Sequence, residues 1–162
     1  MTFRLGVAVV TRKYDLPAFL AGSVVTQEVY ERWLRHKVQA LVKRDRKRGN
    51  ATAIGESYRD AIHAAVQESG GRDAYTGEAL DWSLISQYDN DESKESGRNY
   101  KKGLALLPTV DHVDHGTGPA NFRICSWRTN DAKNDLDLAE FIAVCRSVLT
   151  HQGFTVHRED AE

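Results

Sequence analysis

Two short apolar runs, residues 104–113 and 121–125, flank the turn-forming segment Gly116-Thr117-Gly118-Pro119 and lead directly into Trp127-Arg128-Thr129-Asn130. Runs of this length, rich in apolar and β-branched residues and split by Gly and Pro, read as two paired strands. The first is broken by Pro108 and closes on Asp111-His112; the second opens on Asn121. Thr129 is a candidate N-cap for a helix running through Asn134. The order strand, loop, strand, helix is therefore the local constraint on the fold. It sets polar side chains on strand ends and on a helix face, where they can meet.

The remainder of the chain decides what surrounds this unit. At 162 residues it forms one domain, or one domain with an extended arm, with enough length to bury a real core. Charged residues at 28 % and aromatics at 9 % suit an ordinary globular protein, and the net charge of −1 says little by itself. The distribution of charge says more. Residues 35–48 hold seven Lys or Arg against one acid, Asp45, whereas acids gather in 73–95 and in the tail Glu159-Asp160-Ala161-Glu162. One face of a near-neutral protein can bind a polyanion in this way. Cys125 and Cys145 are too few for a disulfide framework and lack zinc spacing, so both read as small buried side chains in a reducing compartment. No segment approaches the apolar length of a membrane span, and residues 5–10 are too short and too closely flanked by Arg4 and Arg12 for a secretory signal. A cytoplasmic location is expected.

Residues 3–10 read as strand or helix without a means of separating the two. A first helix is expected from Thr26, with Val29, Tyr30, Trp33, Val38, Leu41 and Val42 at helical spacing, ending at Gly49-Asn50. Its last turn carries Lys43, Arg44, Arg46, Lys47 and Arg48, which reads equally as a solvated helix end favoured by the macrodipole and as a phosphate contact. A second helix is expected over 54–68, with Tyr58, Ile62, Ala65 and Val66 inward and Gly70-Gly71 as its stop; His63 reads as a satisfied helix residue. Tyr75-Thr76-Gly77-Glu78 reads as a turn, and 86–103 as a long polar loop. Asp89, Asp91, Ser93 and Glu95 alternate as calcium ligands do, but Lys94 stands where an EF-hand loop needs glycine. A last helix is expected from Asp137, its stripe Leu138, Phe141, Ile142, Cys145, Val148 and Leu149 reading as core, with Gly153 as its stop. Trp127 also reads as core. The fold class is α+β, divided into an N-terminal arm (1–72), a core with the C-terminal helix (73–153) and an acidic tail (154–162).

The polar residues of the strand-strand-helix unit are of one chemical kind. Asp111 offers a carboxylate, and Asn130 and Asn134, four apart on a helix, share a face. Such hard oxygen donors suit Mg²⁺ or Mn²⁺, which keep several waters and borrow substrate phosphates; zinc is disfavoured, with no thiolate and no imidazole pair at ligand spacing. His112 can take a proton from water near neutral pH, and Asn121 sits across the hairpin where it can hold the imidazole or the loop. Neighbouring strand residues face opposite ways, so Asp111 and His112 converge only where the strand ends or twists.

At Asp111-His112, Asn121 and Asn130 the sequence resembles the HNH nuclease family, whose pattern is Asp or His, the His base, an Asn, then His or Asn on a helix. The interval from Asn121 to Asn130 is the usual one of that family, and the close resemblance covers roughly 104–136 and, more loosely, Tyr75 onward. It implies a ββα-metal core in which Asp111 and Asn130 are metal ligands, His112 is the general base and Asn121 is structural. Asn134 falls where some members carry another metal-site residue, and Lys133 where a basic residue faces the scissile phosphate. His115 and Arg128 join Lys43, Arg44, Arg46, Lys47 and Arg48 as expected nucleic-acid contacts. Many relatives clip the fold with zinc through two Cys-x-x-Cys pairs. This chain has neither, and Tyr75-Thr76-Gly77 stands where the first would be, so packing must replace the clip.

The expectation is a metal-dependent endonuclease acting on DNA, double-stranded in the first instance. Two alternatives stand beside it: a non-catalytic nucleic-acid-binding module on the same fold, and a protein-interaction module using 35–48 as a partner helix.

Overall fold

The computed structural model describes residues 12–87, 97, 99 and 101–158. The expected element at 3–10, the acidic alternation at 89–95 and the acids of the tail at 159–162 lie outside these residues. The first long element is α1 (Gln27–Lys47), capped by Thr26, whose hydroxyl accepts from the Val29 amide at 3.3 Å. Its apolar residues fall at helical spacing, and Tyr30, Trp33, Leu34, Val38 and Leu41 are all buried. α2 (Gly55–Ser69) buries Tyr58, Ile62, Ala65 and Val66 and stops at Gly70, which takes the left-handed conformation (φ 54°) that ends helices. His63 on its inner face is satisfied by the Tyr30 hydroxyl at 2.7 Å from Nδ1, as a helix residue rather than a ligand.

β1 (Pro108–His112) and β2 (Phe122–Ser126) form an antiparallel pair in which Val110 faces Ile124, Asp111 faces Arg123 and His112 faces Phe122. α3 (Trp127–Lys133) follows β2 without a break, and α4 (Leu138–His151) completes the chain. Helices with one small antiparallel sheet make the fold α+β. A single cluster of buried residues runs from Leu20 and Val25 through α1 and α2 to Trp82, Val110, Phe122 and Ile124, so the hairpin is backed by the two N-terminal helices.

The turn at 75–78 is held by a carboxylate. Asp73, 2 % exposed, accepts from the Tyr75 amide at 2.8 Å with Oδ1 and from the Ser126 amide at 2.8 Å with Oδ2. The Ala74 amide adds a bond to the Ile124 carbonyl at 2.9 Å. One buried acid thus ties the turn to the end of β2 by hydrogen bonds alone. Burial pushes the Asp73 carboxyl up, and the amide and hydroxyl donors of Ser126, Tyr75 and Thr129 more than offset this, leaving it below the ordinary carboxylate range.

Several expectations are corrected. The first strand does not begin at 104: residues 104–106 form a turn and pairing starts at Pro108, whose missing N–H is tolerated at a strand start. The N-cap of α3 is Ser126, not Thr129, because the Ser126 hydroxyl accepts from the Thr129 amide at 3.0 Å. Asn134 is not a helix residue; it is the C-cap, at φ 52°, with its amide on the Asn130 carbonyl at 2.8 Å. The 86–103 stretch is not loop throughout, since Ser86 closes a 3₁₀ turn and residues 101–103 are helical.

The largest correction concerns α4. Asp137 caps it with Glu140 in a reciprocal capping box, as its sequence signals. Yet no residue of this helix is buried, and Ile142 and Val148 are each 56 % exposed. The apolar stripe is therefore not core. Phe141, half-buried, meets the Tyr75 ring edge-on, with ring centroids 6.5 Å apart, and Cys145 is exposed whereas Cys125 is buried. Trp127 is half-buried, with the Lys101 ammonium 5.6 Å from its ring centroid.

Candidate active site

The C-terminal end of β1, the loop after it, the end of α1 and the end of α3 enclose a cavity of about 240 Å³. Arg44, Arg48, Asp111, His112, His115, Asn130, Lys133 and Asn134 all line it. Asp111 and His112 leave the strand on opposite sides, as neighbouring strand residues must, and both reach this cavity because the strand ends there.

His112, 9 % exposed, is gripped from two directions. Its Nε2 lies 2.7 Å from Oδ2 of Asp45, and its Nδ1 lies 2.7 Å from a terminal guanidinium nitrogen of Arg44. A guanidinium can only donate, so Nδ1 must be the acceptor and Nε2–H must be the donor to Asp45. The tautomer is thereby fixed, with the Nδ1 lone pair turned toward the cavity. The Phe122 ring packs edge-on against the imidazole at 5.0 Å and closes its other side.

Asp45 is fully buried and accepts two further hydrogen bonds: Oδ2 takes the Tyr58 hydroxyl at 2.8 Å, and Oδ1 takes Nε of Arg44 at 3.3 Å. Burial pushes its carboxyl up; Tyr58, His112 and Arg44 prevail and hold it below the usual range, so it is an anion beneath the imidazole. The loop over this pair is pinned by Asn50, whose amide donates to the Gly116 and Gly118 carbonyls at 2.8 and 2.9 Å. Gly116 has φ +73°, and a Cβ there would stand 2.8 Å from His112 ring atoms and 3.2 Å from Asp45 Oδ1. Only glycine lets the backbone pass so close.

On the other wall, Asp111 accepts the Tyr75 hydroxyl at 2.5 Å and lies 3.0 Å from Nζ of Lys133, both contacts falling on Oδ2. Lys133 is buried at 4 % exposure, so this ion pair is shielded from water. Burial and the Asp111 hydrogen bond both raise the Tyr75 phenol above its ordinary value, which keeps it a donor.

The other residues named from sequence divide. Arg44, Arg48 and His115 are at the cavity, His115 at φ 61° in the loop. Asn121 does not orient the imidazole: it is exposed, and its backbone carbonyl closes the hairpin by accepting from the Val113 amide at 3.1 Å. Arg46 is turned away, its Nε donating to the Ala53 carbonyl at 2.8 Å, and Arg128 is tied to Glu78. Lys43 lines a different cavity, and Lys47 is exposed at the end of α1. Sequence reasoning did not assign Asp45, Asn50, Tyr58 or Tyr75 to the site. Asp45 carried a signal, as the lone acid in a basic run.

No family model, curated protein or solved structure matches the chain.

Among the described residues no three His, Cys, Asp or Glu side chains form a metal-holding group. The oxygen donors at the cavity are the carboxylates of Asp111, Asp131 and Asp135, of which Asp131 is paired with Lys101, and the Asn130 and Asn134 amides. Such a set fits a hard dication that keeps most of its waters and takes further oxygens from a phosphate. Asp111 has one oxygen committed to Tyr75 and Lys133 and a second to offer a cation.

Proposed function

We propose that this chain is a metal-dependent endonuclease with a ββα-metal site, hydrolysing phosphodiester bonds in DNA. The observation that carries the reading is the Asp45–His112–Arg44 alignment: an imidazole of fixed tautomer, backed by a buried carboxylate, with its lone pair on Arg44 beside a polar cavity that also holds Asp111 and Asn130. In the resting state Arg44 covers the Nδ1 lone pair. An incoming phosphate is a charged acceptor and a stronger partner for a guanidinium than a neutral imidazole. Arg44 therefore shifts to the phosphate and uncovers Nδ1.

Nδ1 then takes a proton from water while the water oxygen bonds to phosphorus and the phosphorus–O3′ bond breaks. The imidazolium so formed faces the Asp45 anion, which stabilises it as the reaction proceeds. Arg44, Arg48 and Lys133 provide the positive charge around the phosphate oxygens. Asp111 with Asn130, supported by Asn134, would hold Mg²⁺ or Mn²⁺, and the chemistry a bound dication supplies is charge stabilisation at the leaving oxygen.

One observation favours the second reading, a non-catalytic nucleic-acid-binding module. Lys133 already places a positive charge on Asp111, which a site without metal would need. Supercoiled plasmid incubated with the purified protein in Mg²⁺, in Mn²⁺ and in excess chelator separates the two. Nicking that the chelator abolishes is expected; salt-sensitive binding with no cleavage in any divalent metal would replace the nuclease with the binding module.

A further inference from the structure

The seam between α1 and β1 opens into a second and larger cavity of about 800 Å³, beyond the candidate active site. Its walls are the outward face of α1 (Arg32, His36, Lys37, Lys43 and the edge of Trp33) and the start of β1 at Leu107 and Pro108. Among the described residues no Asp or Glu lines it. Among the described residues Arg32, His36 and Lys43 form no ion pair. Cations gathered round a concave surface, with no counter-charge among the described residues, make a positive potential that favours an anion.

Lys37 sharpens this. It is half-buried, and its ammonium donates to the Thr109 hydroxyl at 3.1 Å and lies 6.0 Å from the Trp33 ring centroid. Burial without a carboxylate partner pulls it down to about 8. Thermodynamically, this ammonium lacks the counter-charge that a phosphate would bring.

Lys37–Thr109 and Arg44–His112 are two cross-links along one seam, and α1 and β1 run in the same direction between them. Seven residues of helix separate Lys37 from Arg44, about 10 Å at 1.5 Å per residue, a span of about one to two nucleotides, because successive phosphates along a strand lie farther apart than the axial rise of about 3.4 Å. We infer that this cavity holds the phosphodiester backbone about one to two nucleotides from the scissile phosphate, with Arg32, Lys37 and Lys43 taking the phosphates. The inference rests on the nuclease reading for which phosphate is cut, and it makes the substrate a polynucleotide rather than a small phosphodiester.

The test uses full-length protein carrying His112→Ala, with or without Arg32→Ala and Lys43→Ala, both at exposed positions. Binding of labelled oligonucleotides of graded length is measured across a salt series. The added pair of substitutions is expected to weaken binding of a twenty-nucleotide probe about tenfold and to lower the salt slope by about 1.5, close to two phosphate contacts. For a dinucleotide probe, which carries a single phosphodiester, the affinity is expected to be the same in both backgrounds. Unchanged affinity and slope with the long probe would overturn the inference. If wild-type protein fails to cleave while the Arg32 and Lys43 dependence persists, the nuclease reading falls and the backbone contact stands.

Discussion

Asp45 and His112 lie 67 residues apart in the chain and share a 2.7 Å hydrogen bond inside the protein, carboxylate to imidazole. Neither is placed by its neighbours alone. α1 carries the acid, β1 carries the base, and Tyr58 and Asn50 hold the acid and the covering loop in register. This link makes the N-terminal helix part of the site.

Asp45→Asn tests the link. An amide can offer N–H to Nε2 and so stabilise the tautomer whose Nδ1 carries the proton, which cannot act as base. Cleavage turnover is expected to fall about 10–100-fold with a smaller change in KM. Asp45→Ala additionally leaves the Tyr58 hydroxyl and the Nε2–H of His112 without an acceptor in the interior and should cost about 3 kcal/mol of stability. Chemical denaturation and steady-state cleavage read the two effects apart.

The acid limb of stability follows from Asp73 and Asp45, whose folded-state carboxyls both sit below the ordinary range. The native state therefore binds fewer protons than the unfolded chain. That stability is fully present above the unfolded carboxyl value of about 3.9 and is lost as pH falls through the folded value. Melting temperature between pH 6 and pH 2.5 should drop more steeply for wild type than for Asp73→Asn, which begins from a lower plateau.

Gly116→Ala brings a methyl group against the His112 ring and forces a left-handed residue to carry a Cβ. A loss of about 1–3 kcal/mol is expected, with cleavage reduced further because the imidazole must move. Gly118→Ala, whose Cβ would meet only Asp114 Oδ2 at 3.1 Å, should be milder in both measurements.

The exposed face of α4 predicts an asymmetry between two isoleucines. Ile142→Glu should change stability by less than about 0.5 kcal/mol, whereas Ile62→Ala, at a fully buried position, should cost about 2–5 kcal/mol. A large loss at Ile142 would show that its side chain is buried in solution.

The sequence and the structure agree where a local rule governs. Thr26 and Asp137 are caps because their side chains reach amides three residues on, and Gly70 ends α2 because the chain must turn left-handed. The polar set Asp111, His112, Asn130 and Lys133 was legible because one hairpin and the helix after it bring the residues together. Asp45 and Tyr75 were not, since each reaches the site through a tertiary contact across 67 and 36 residues. Periodicity also misled at α4: a 3.6-residue apolar stripe marks a face to be covered and does not say that this chain covers it. Asn121 is expected from sequence to hold the imidazole or the loop; Asp45 holds the imidazole, and a strand pair, which suggests cross-strand partners, says nothing of a helix behind them.

Plasmid cleavage by wild type and His112→Ala, compared in Mg²⁺ and in Mn²⁺ with folding verified by circular dichroism, tests the central claim most directly. The wild type should nick the DNA and the variant should be slower by about 10²–10⁴-fold, the range for loss of a general base. Equal cleavage by a folded His112→Ala protein would contradict the account.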